Sequence, residues 1–202
     1  MNDRTKAHKI LTICLLFVIT ACAVSAADRY FVGQTDSHWN DASNWSATSG
    51  GAGGAGVPGS SDNAMFDSNS PDCDIDTNIH VDDVQISSYS GTLTQLSGNS
   101  IELDGSWTQD SGSFLGGDSQ IEIDGNFNVS GGTFQSTSGQ LYIPNSTVTL
   151  AAGSFSHNNG ECYFYYSGGR NLDVNGESFY DLKLHLSGNN RVVSLLSDVD
   201  VN

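Results

Sequence analysis

Through residues 79–156 apolar and polar side chains alternate over four or five positions at a time, and clusters of Gly, Ser, Asn or Asp break each run. Period-two alternation bounded by turn residues predicts short strands with one buried face. No window holds an apolar 3.6-residue period, so helix is expected to be negligible beyond the N-terminal leader.

The runs also repeat one another. Gly91-Thr92-Leu93, Gly112-Ser113-Phe114, Gly132-Thr133-Phe134 and Gly153-Ser154-Phe155 recur at spacings of 21, 20 and 21 residues. Ile101-Glu102-Leu103-Asp104-Gly105, Ile121-Glu122-Ile123-Asp124-Gly125 and Leu141-Tyr142-Ile143-Pro144-Asn145 follow at intervals of 20 residues. A third marker, Ile86, Trp107, Phe127 and Val148, stands five residues ahead of each glycine. Many short strands fit either an antiparallel sandwich or a solenoid, but only a solenoid requires consecutive units to match, because equivalent side chains stack coil on coil. A unit of about 20 residues suits three short strands and three turns, with a rise of about 4.8 Å per coil. The fold class expected is all-β: a parallel β-helix, wound right-handed, with an N-terminal β cap. Leu93, Phe114, Phe134 and Phe155 should form one internal ladder, Ile101, Ile121 and Leu141 a second, and Leu103, Ile123 and Ile143 a third.

The period loosens after residue 156. Cys162 and Phe164 can follow Leu141 and Ile143, and Leu172-Asp173-Val174-Asn175-Gly176 echoes the Ile-Glu-Ile-Asp-Gly unit, so a change of coil shape is expected there. Phe179, Leu182 and Leu184, then Val192, Leu195, Val199 and Val201, supply further alternating strands. The chain stops inside what reads as another unit, and an uncapped solenoid exposes strand edges, which predicts a longer protein. Residues 27–78 lack the repeat but carry Trp39, Trp45 and a Gly-rich stretch from Ser49 to Gly59. They are expected to cap the first coil with buried tryptophans; an exposed aromatic platform for carbohydrate is the alternative. The organisation expected is a leader over 1–26, a cap over 27–78 and repeats over 79–202.

Charge narrows the partners. The chain has 23 Asp plus Glu against 7 Lys plus Arg and a net charge of -16. That balance excludes a nucleic-acid binder and disfavours anionic lipid surfaces. Arg4, Lys6 and Lys9 precede an apolar run from Ile10 to Val24, the charge order of a secretory signal and too short for a comfortable membrane span. Val24-Ser25-Ala26 offers a cleavage site before Ala27, and Ile19-Thr20-Ala21-Cys22 offers a lipobox, with a lipid anchor at Cys22. Both routes carry the protein out of the cytoplasm, secreted or held at a cell surface, with no membrane span in the mature chain. Cys73 and Cys162 then remain, and the repeat separates them by several coils, so two unpaired buried cysteines are expected.

The stretch Arg29-Tyr30-Phe31-Val32-Gly33, His38-Trp39-Asn40-Asp41, Asn44-Trp45-Ser46, Gly50-Gly51-Ala52-Gly53-Gly54, Val57-Pro58, Ser61-Asp62-Asn63 and Phe66-Asp67, followed by the Gly-Thr-Phe units, resembles the N-terminal part of large bacterial secreted repeat proteins. These are described as β-helix or adhesin-like surface proteins. The likeness covers nearly all of the mature chain, and its Trp-rich opening is the most specific part. It implies an extracellular location and a solenoid, and it carries over no catalytic residue.

With Ile101, Leu103, Ile121 and Ile123 inward, Glu102, Asp104, Glu122 and Asp124 should project outward on adjacent coils, about 4.8 Å apart between coils and about 7 Å along each strand. Stacked like charges repel, and hydration, shared protons or Ca²⁺ would offset that. Paired carboxylates at such distances also suit acid and nucleophile roles in sugar hydrolysis. Asp72, Asp74 and Asp76 alternate with Cys73 and Ile75, and Asp83 mimics the last EF-hand ligand. Thr77 at the obligatory glycine position excludes an EF-hand and leaves a looser surface Ca²⁺ site. Asp72, Asp74, Asp76, Glu102, Asp104, Glu122 and Asp124 are the calcium candidates; no other cofactor is expected. His38, His80, His157 and His185 share no metal spacing, and no G-x-S-x-G elbow is present. Arg170, Lys183 and Arg191, the cations beyond the cap, lie in the irregular final third, where a lyase-like site would need one beside the acids.

Two functions follow. One is a non-enzymatic structural or adhesin-like module that presents polar ladders on a rigid rod to a surface or polysaccharide. The other is an extracellular polysaccharide-acting hydrolase or lyase, or a carbohydrate-binding β-helix, using the acidic face.

Overall fold

Strands of only three residues, with buried side chains at both ends and an outward one between them, recur as Ile79–Val81, Ile101–Leu103 and Trp107–Gln109. Each is too short to be stable alone, so stability comes from stacking on the next. The computed structural model describes residues 26–144, 146–168, 170–188, 193–195 and 200–201. The leader, the Cys22 lipid-anchor site, Asn145, Arg191, Val192 and Val199 lie outside the described residues.

Three parallel sheets form the walls. A nine-stranded sheet runs Trp45–Ser46, Asp28–Phe31, Asn63–Phe66, Val84–Ile86, Trp107–Gln109, Phe127–Val129, Val148–Leu150, Arg170–Asp173 and Val193–Leu195. A five-stranded sheet stacks Cys73–Ile75, Thr92–Gln95, Ser113–Leu115, Thr133–Gln135 and Phe155–Ser156. A six-stranded sheet stacks Ile79–Val81, Ile101–Leu103, Ile121–Ile123, Gln140–Pro144, Glu161–Tyr166 and Asp181–Leu186. The chain visits the three in turn and returns, giving a β-solenoid of about 6 turns. Among the described residues the one antiparallel pairing is Asp28–Phe31 with Trp45–Ser46, and helix is confined to the single turn Ala42–Asn44.

The expected ladders form. Cys73, Leu93, Phe114, Phe134 and Phe155 stand in one register. The Phe114 and Phe134 rings stack with centroids 4.7 Å apart, and Phe179 extends the pile at 5.2 Å from Phe155. Ile79, Ile101, Ile121, Leu141, Cys162 and Leu182 form the second column. Val81, Leu103 and Ile123 begin the third, and Ile143, Phe164 and Leu184 continue it. Cys162 and Phe164 thus follow Leu141 and Ile143 as the alternation predicts.

Two expected alignments shift. Val84, not Ile86, stands under Trp107, while Ile86 stands under Gln109. Val84 lies nine residues before Leu93, whereas Trp107, Phe127 and Val148 lie seven before their phenylalanines. The two extra residues fall in the corner that seats Tyr89, whose ring packs on Phe66 and whose hydroxyl donates to the Pro71 carbonyl at 2.9 Å. Counting back from the glycine therefore misplaces Ile86. Leu172, second, stands on Val148 in the nine-stranded sheet and not in the sheet of the Ile-Glu-Ile-Asp-Gly units. The same alternation serves any wall, and register is settled by which coil lies beneath. The six-stranded sheet keeps its spacing beyond residue 156, with Gln140 on Glu161 and Glu161 on Asp181. The nine-stranded sheet does loosen, its steps growing from 20 and 21 residues to 24 and 23 as Val148 is followed by Leu172 and Leu195, and the strands of the six-stranded sheet lengthen from three residues to six.

Glycine is required where corners stack. Gly132 has φ +71°, in the left-handed region, and a Cβ there would collide with the Gly112 carbonyl oxygen. Gly125 sits on Gly105 with equally little room. Buried glutamines interrupt the apolar columns: Gln95, in register with Ile75, donates to the Asn99 carbonyl at 2.6 Å, and Gln109 accepts from Trp107 Nε1 at 3.2 Å and donates to the Thr133 carbonyl at 3.1 Å. Trp39 and Trp45 are fully buried, with centroids 4.6 Å apart, and Trp45 Nε1 donates to the Trp39 carbonyl at 2.7 Å. Neither offers an exposed ring to a sugar. The sheets themselves reach back through Asn63–Phe66 and Cys73–Ile75 into residues 27–78. Cys73 and Cys162 are unpaired and buried in different walls; burial pushes the Cys73 thiol well above its ordinary value and that of Cys162 up to about 12. Among the described residues no helix is long and apolar enough to cross a membrane.

Candidate functional site

The outward positions of the six-stranded sheet hold most of the chemistry. Because alternate residues of a strand face opposite ways, each inward isoleucine or leucine fixes its neighbour outside. In-register pairing then builds one outward column of His80, Glu102, Glu122, Tyr142, Tyr163 and Lys183. Beside it Pro144, Tyr165 and His185 stack, on the coils that follow those of Asp104 and Asp124. Glu102, Asp104, Glu122 and Asp124 thus stand on adjacent coils as the repeat predicts.

The charges at the N-terminal end of this face do not balance. Desolvation, then the charges of Asp124 and Glu102, raise the Glu122 carboxyl above its ordinary range. Desolvation and the charges of Asp104 and Glu102 do the same to Asp124. His80 answers part of this, with Nε2 2.9 Å from Asp104 Oδ1 and 3.8 Å from Glu102 Oε1. The hydrogen bond to Asp104, and then the surrounding carboxylates, raise the His80 pKa. All three side chains are about half exposed, so the site is open to solvent.

Farther along, the same face turns aromatic. Tyr142 and Tyr163 lie 5.3 Å apart between centroids, Tyr165 and His185 5.1 Å, and the Tyr163 hydroxyl is 3.1 Å from His185 Nδ1. Lys183 pairs with Glu161, which holds the Glu161 carboxyl below its usual range and raises the lysine. An open depression of about 460 Å³ borders Tyr163, Lys183 and His185. Lys183 shares the column of Glu122 but lies three coils away, about 14 Å at the usual strand spacing. The group with a positive form that does sit against the acids is His80.

Asp72, Asp74 and Asp76 are engaged in tying segments together. Asp72 accepts from the Thr92 amide at 2.7 Å, Asp74 from Ser37 Oγ at 2.7 Å, and Asp76 from the Asn40 amide at 3.0 Å. The last two hold residues 37–40 against the first coil. Asp110 and Asp118 do comparable work between coils. Asp110 accepts from Ser87 Oγ at 2.7 Å and Asp118 from Ser97 Oγ at 2.6 Å, and these hydrogen bonds lower both carboxyls. On the nine-stranded sheet Gln85, Thr108, Asn128 and Thr149 form a neutral outward ladder. A shallow groove of about 320 Å³ runs beside it.

Linear spacing misses His80, since its partners lie 22 and 24 residues downstream and meet it only through the stacking of one coil on the next. Among the described residues, His80, Glu102 and Asp104 form the one group of three or more His, Cys, Asp or Glu side chains whose ligand atoms gather within 4.8 Å. The tyrosine stripe was legible only as outward positions of single strands. No family model, curated protein or solved structure matches this chain, so any functional reading rests on the geometry of the stack itself.

Proposed function

We propose that the protein is a non-enzymatic, extracellular structural module, adhesin-like and bacterial in kind, that presents polar ladders on a rigid solenoid to a surface or a polysaccharide. The observation that supports this is the unbroken outward register of Gln85, Thr108, Asn128 and Thr149, a row of hydrogen-bonding groups repeated at the coil pitch on a shallow wall. Such a row binds by summing weak equivalent contacts, so its strength comes from repetition. The test is retention of protein-coated beads on immobilised polysaccharides and bacterial surfaces. Thr108→Ala, Asn128→Ala and Thr149→Ala should each weaken retention, and the triple variant should lose it; retention unchanged in the triple variant rejects the ladder.

A second reading, a carbohydrate-binding or carbohydrate-acting β-helix, is favoured by Tyr142, Tyr163 and Tyr165 beside Glu122 and Asp124 on one face. Phenol rings stack on sugar faces, and a carboxyl raised above its usual range suits a general acid. Release of reducing ends or unsaturated products from a polysaccharide, abolished by Glu122→Gln and Asp124→Asn, would establish this reading over the first.

A further inference from the structure

We propose that His80, Glu102 and Asp104 bind a divalent transition-metal ion of the zinc type, which pins the edge strand Ile79–Val81 to its neighbour. This goes beyond the structural role above and does not depend on it.

The imidazole sets this group apart from the acids farther along the face. Calcium takes six to eight oxygen ligands and has little use for nitrogen, whereas zinc and its neighbours favour imidazole together with carboxylate. Spacing agrees. Bonds of about 2.1 Å opened at a tetrahedral angle place donor atoms about 3.4 Å apart. The two distances from His80 Nε2, 2.9 Å to Asp104 and 3.8 Å to Glu102, bracket that value. The three donor atoms all lie within 4.8 Å of one another on exposed side chains, so their convergence on one ion asks for a shift of the outer side-chain atoms and none of the backbone. Three protein donors leave the remaining position to water, as in open zinc sites.

The frame beneath the donors is rigid. Ile79 and Val81 point inward on either side of His80, Ile101 and Leu103 do so around Glu102, and the two strands pair residue for residue. Asp104 follows in the turn, where its amide donates to the Val81 carbonyl at 3.1 Å. The neighbouring excess of carboxylate, Asp124 and Glu122 on the next coil, further favours a dication at this place. Among the described residues Ile79–Val81 is an edge strand of its sheet, with a partner on one side only. An ion held jointly by His80 and by Glu102 and Asp104 links it to the sheet a second time.

The test is calorimetric titration of the chain with ZnCl₂ and, separately, CaCl₂, with hydrogen exchange followed at Ile79–Val81. One equivalent of zinc is expected, with calcium failing to compete at equal concentration. His80→Ala and Asp104→Asn should each weaken zinc by about tenfold or more, and zinc should slow exchange at Ile79–Val81 in the unmodified chain but not in these two variants. His185→Ala, which removes the other imidazole on this face, should bind zinc unchanged. The proposal is overturned by absence of zinc binding, by full affinity in His80→Ala with native circular dichroism, by equal competition from calcium, or by loss of zinc in His185→Ala instead.

Discussion

Inside the five-stranded sheet Phe114, Phe134 and Phe155 lie ring over ring; outside the six-stranded sheet Glu102 lies over Glu122 at the same coil spacing. One rule of register produces both, because a solenoid sets like on like wherever the repeat is faithful. For phenylalanine that places apolar surface against apolar surface, away from water. For glutamate it places charge against charge, and solvent and His80 only partly relieve it. The interior thus dictates the register, and the exterior accepts what results. Exposed repulsion is screened and weak, whereas a misaligned core leaves cavities.

The largest effect that sharpens this contrast should come from Phe134→Ala, which empties the middle of the ring stack. It should cost about 3–5 kcal/mol, read as a lower urea midpoint. A loss no greater than that of an exposed substitution would mean the stack does not carry the fold. Next is Gln109→Leu. Gln109 is fully buried, and the change strands Trp107 Nε1 and the Thr133 carbonyl, so a loss of about 1–3 kcal/mol is expected despite the more apolar side chain. Stabilisation there would show that the columns want only hydrophobes.

The smallest effects belong to the acidic column, and their sign is opposite. Glu122→Gln removes a like-charge contact and should stabilise at neutral pH by at most about 0.5 kcal/mol. The pH profile follows from the same groups. Glu122, Asp124 and His80 all have raised values in the folded state, so the stability they contribute is present at low pH and lost as pH rises through those values. Asp36, Asp41, Asp110 and Asp118 are lowered, and their contribution is lost as pH falls through their folded values, below the ordinary 3.8. Melting temperature should therefore climb as pH is lowered from about 8 to about 5 and collapse below about 4. Glu122→Gln should flatten the part of that climb nearest pH 5. A melting temperature that falls steadily from neutral pH would show that the acidic column is not under net repulsion.

The outward position of Glu102 and Glu122 was readable in advance, since it needs only the alternation within Ile101–Leu103 and Ile121–Ile123 and the interval of 20 residues between them. The engagement of Asp72, Asp74 and Asp76 with Thr92, Ser37 and Asn40 was not, because the aspartates themselves and two of the partners, Ser37 and Asn40, come from a segment without the repeat. His80 escaped for a related reason: its strand precedes the first clear Ile-Glu unit, so nothing in the linear pattern marks it as the member beneath Glu102.

The sequence by itself determined that the strands are short, the inward set and the stacking of equivalent units, since alternation and periodicity act locally and are repeated many times. Only the tertiary structure decided the seating of Tyr89 that shifts Val84 under Trp107, the wall to which Leu172 belongs, and the meeting of His80 with Glu102 and Asp104. Corners explain the difference: a turn can take in two extra residues without altering any strand, and the added residues change which side chains face each other one coil away.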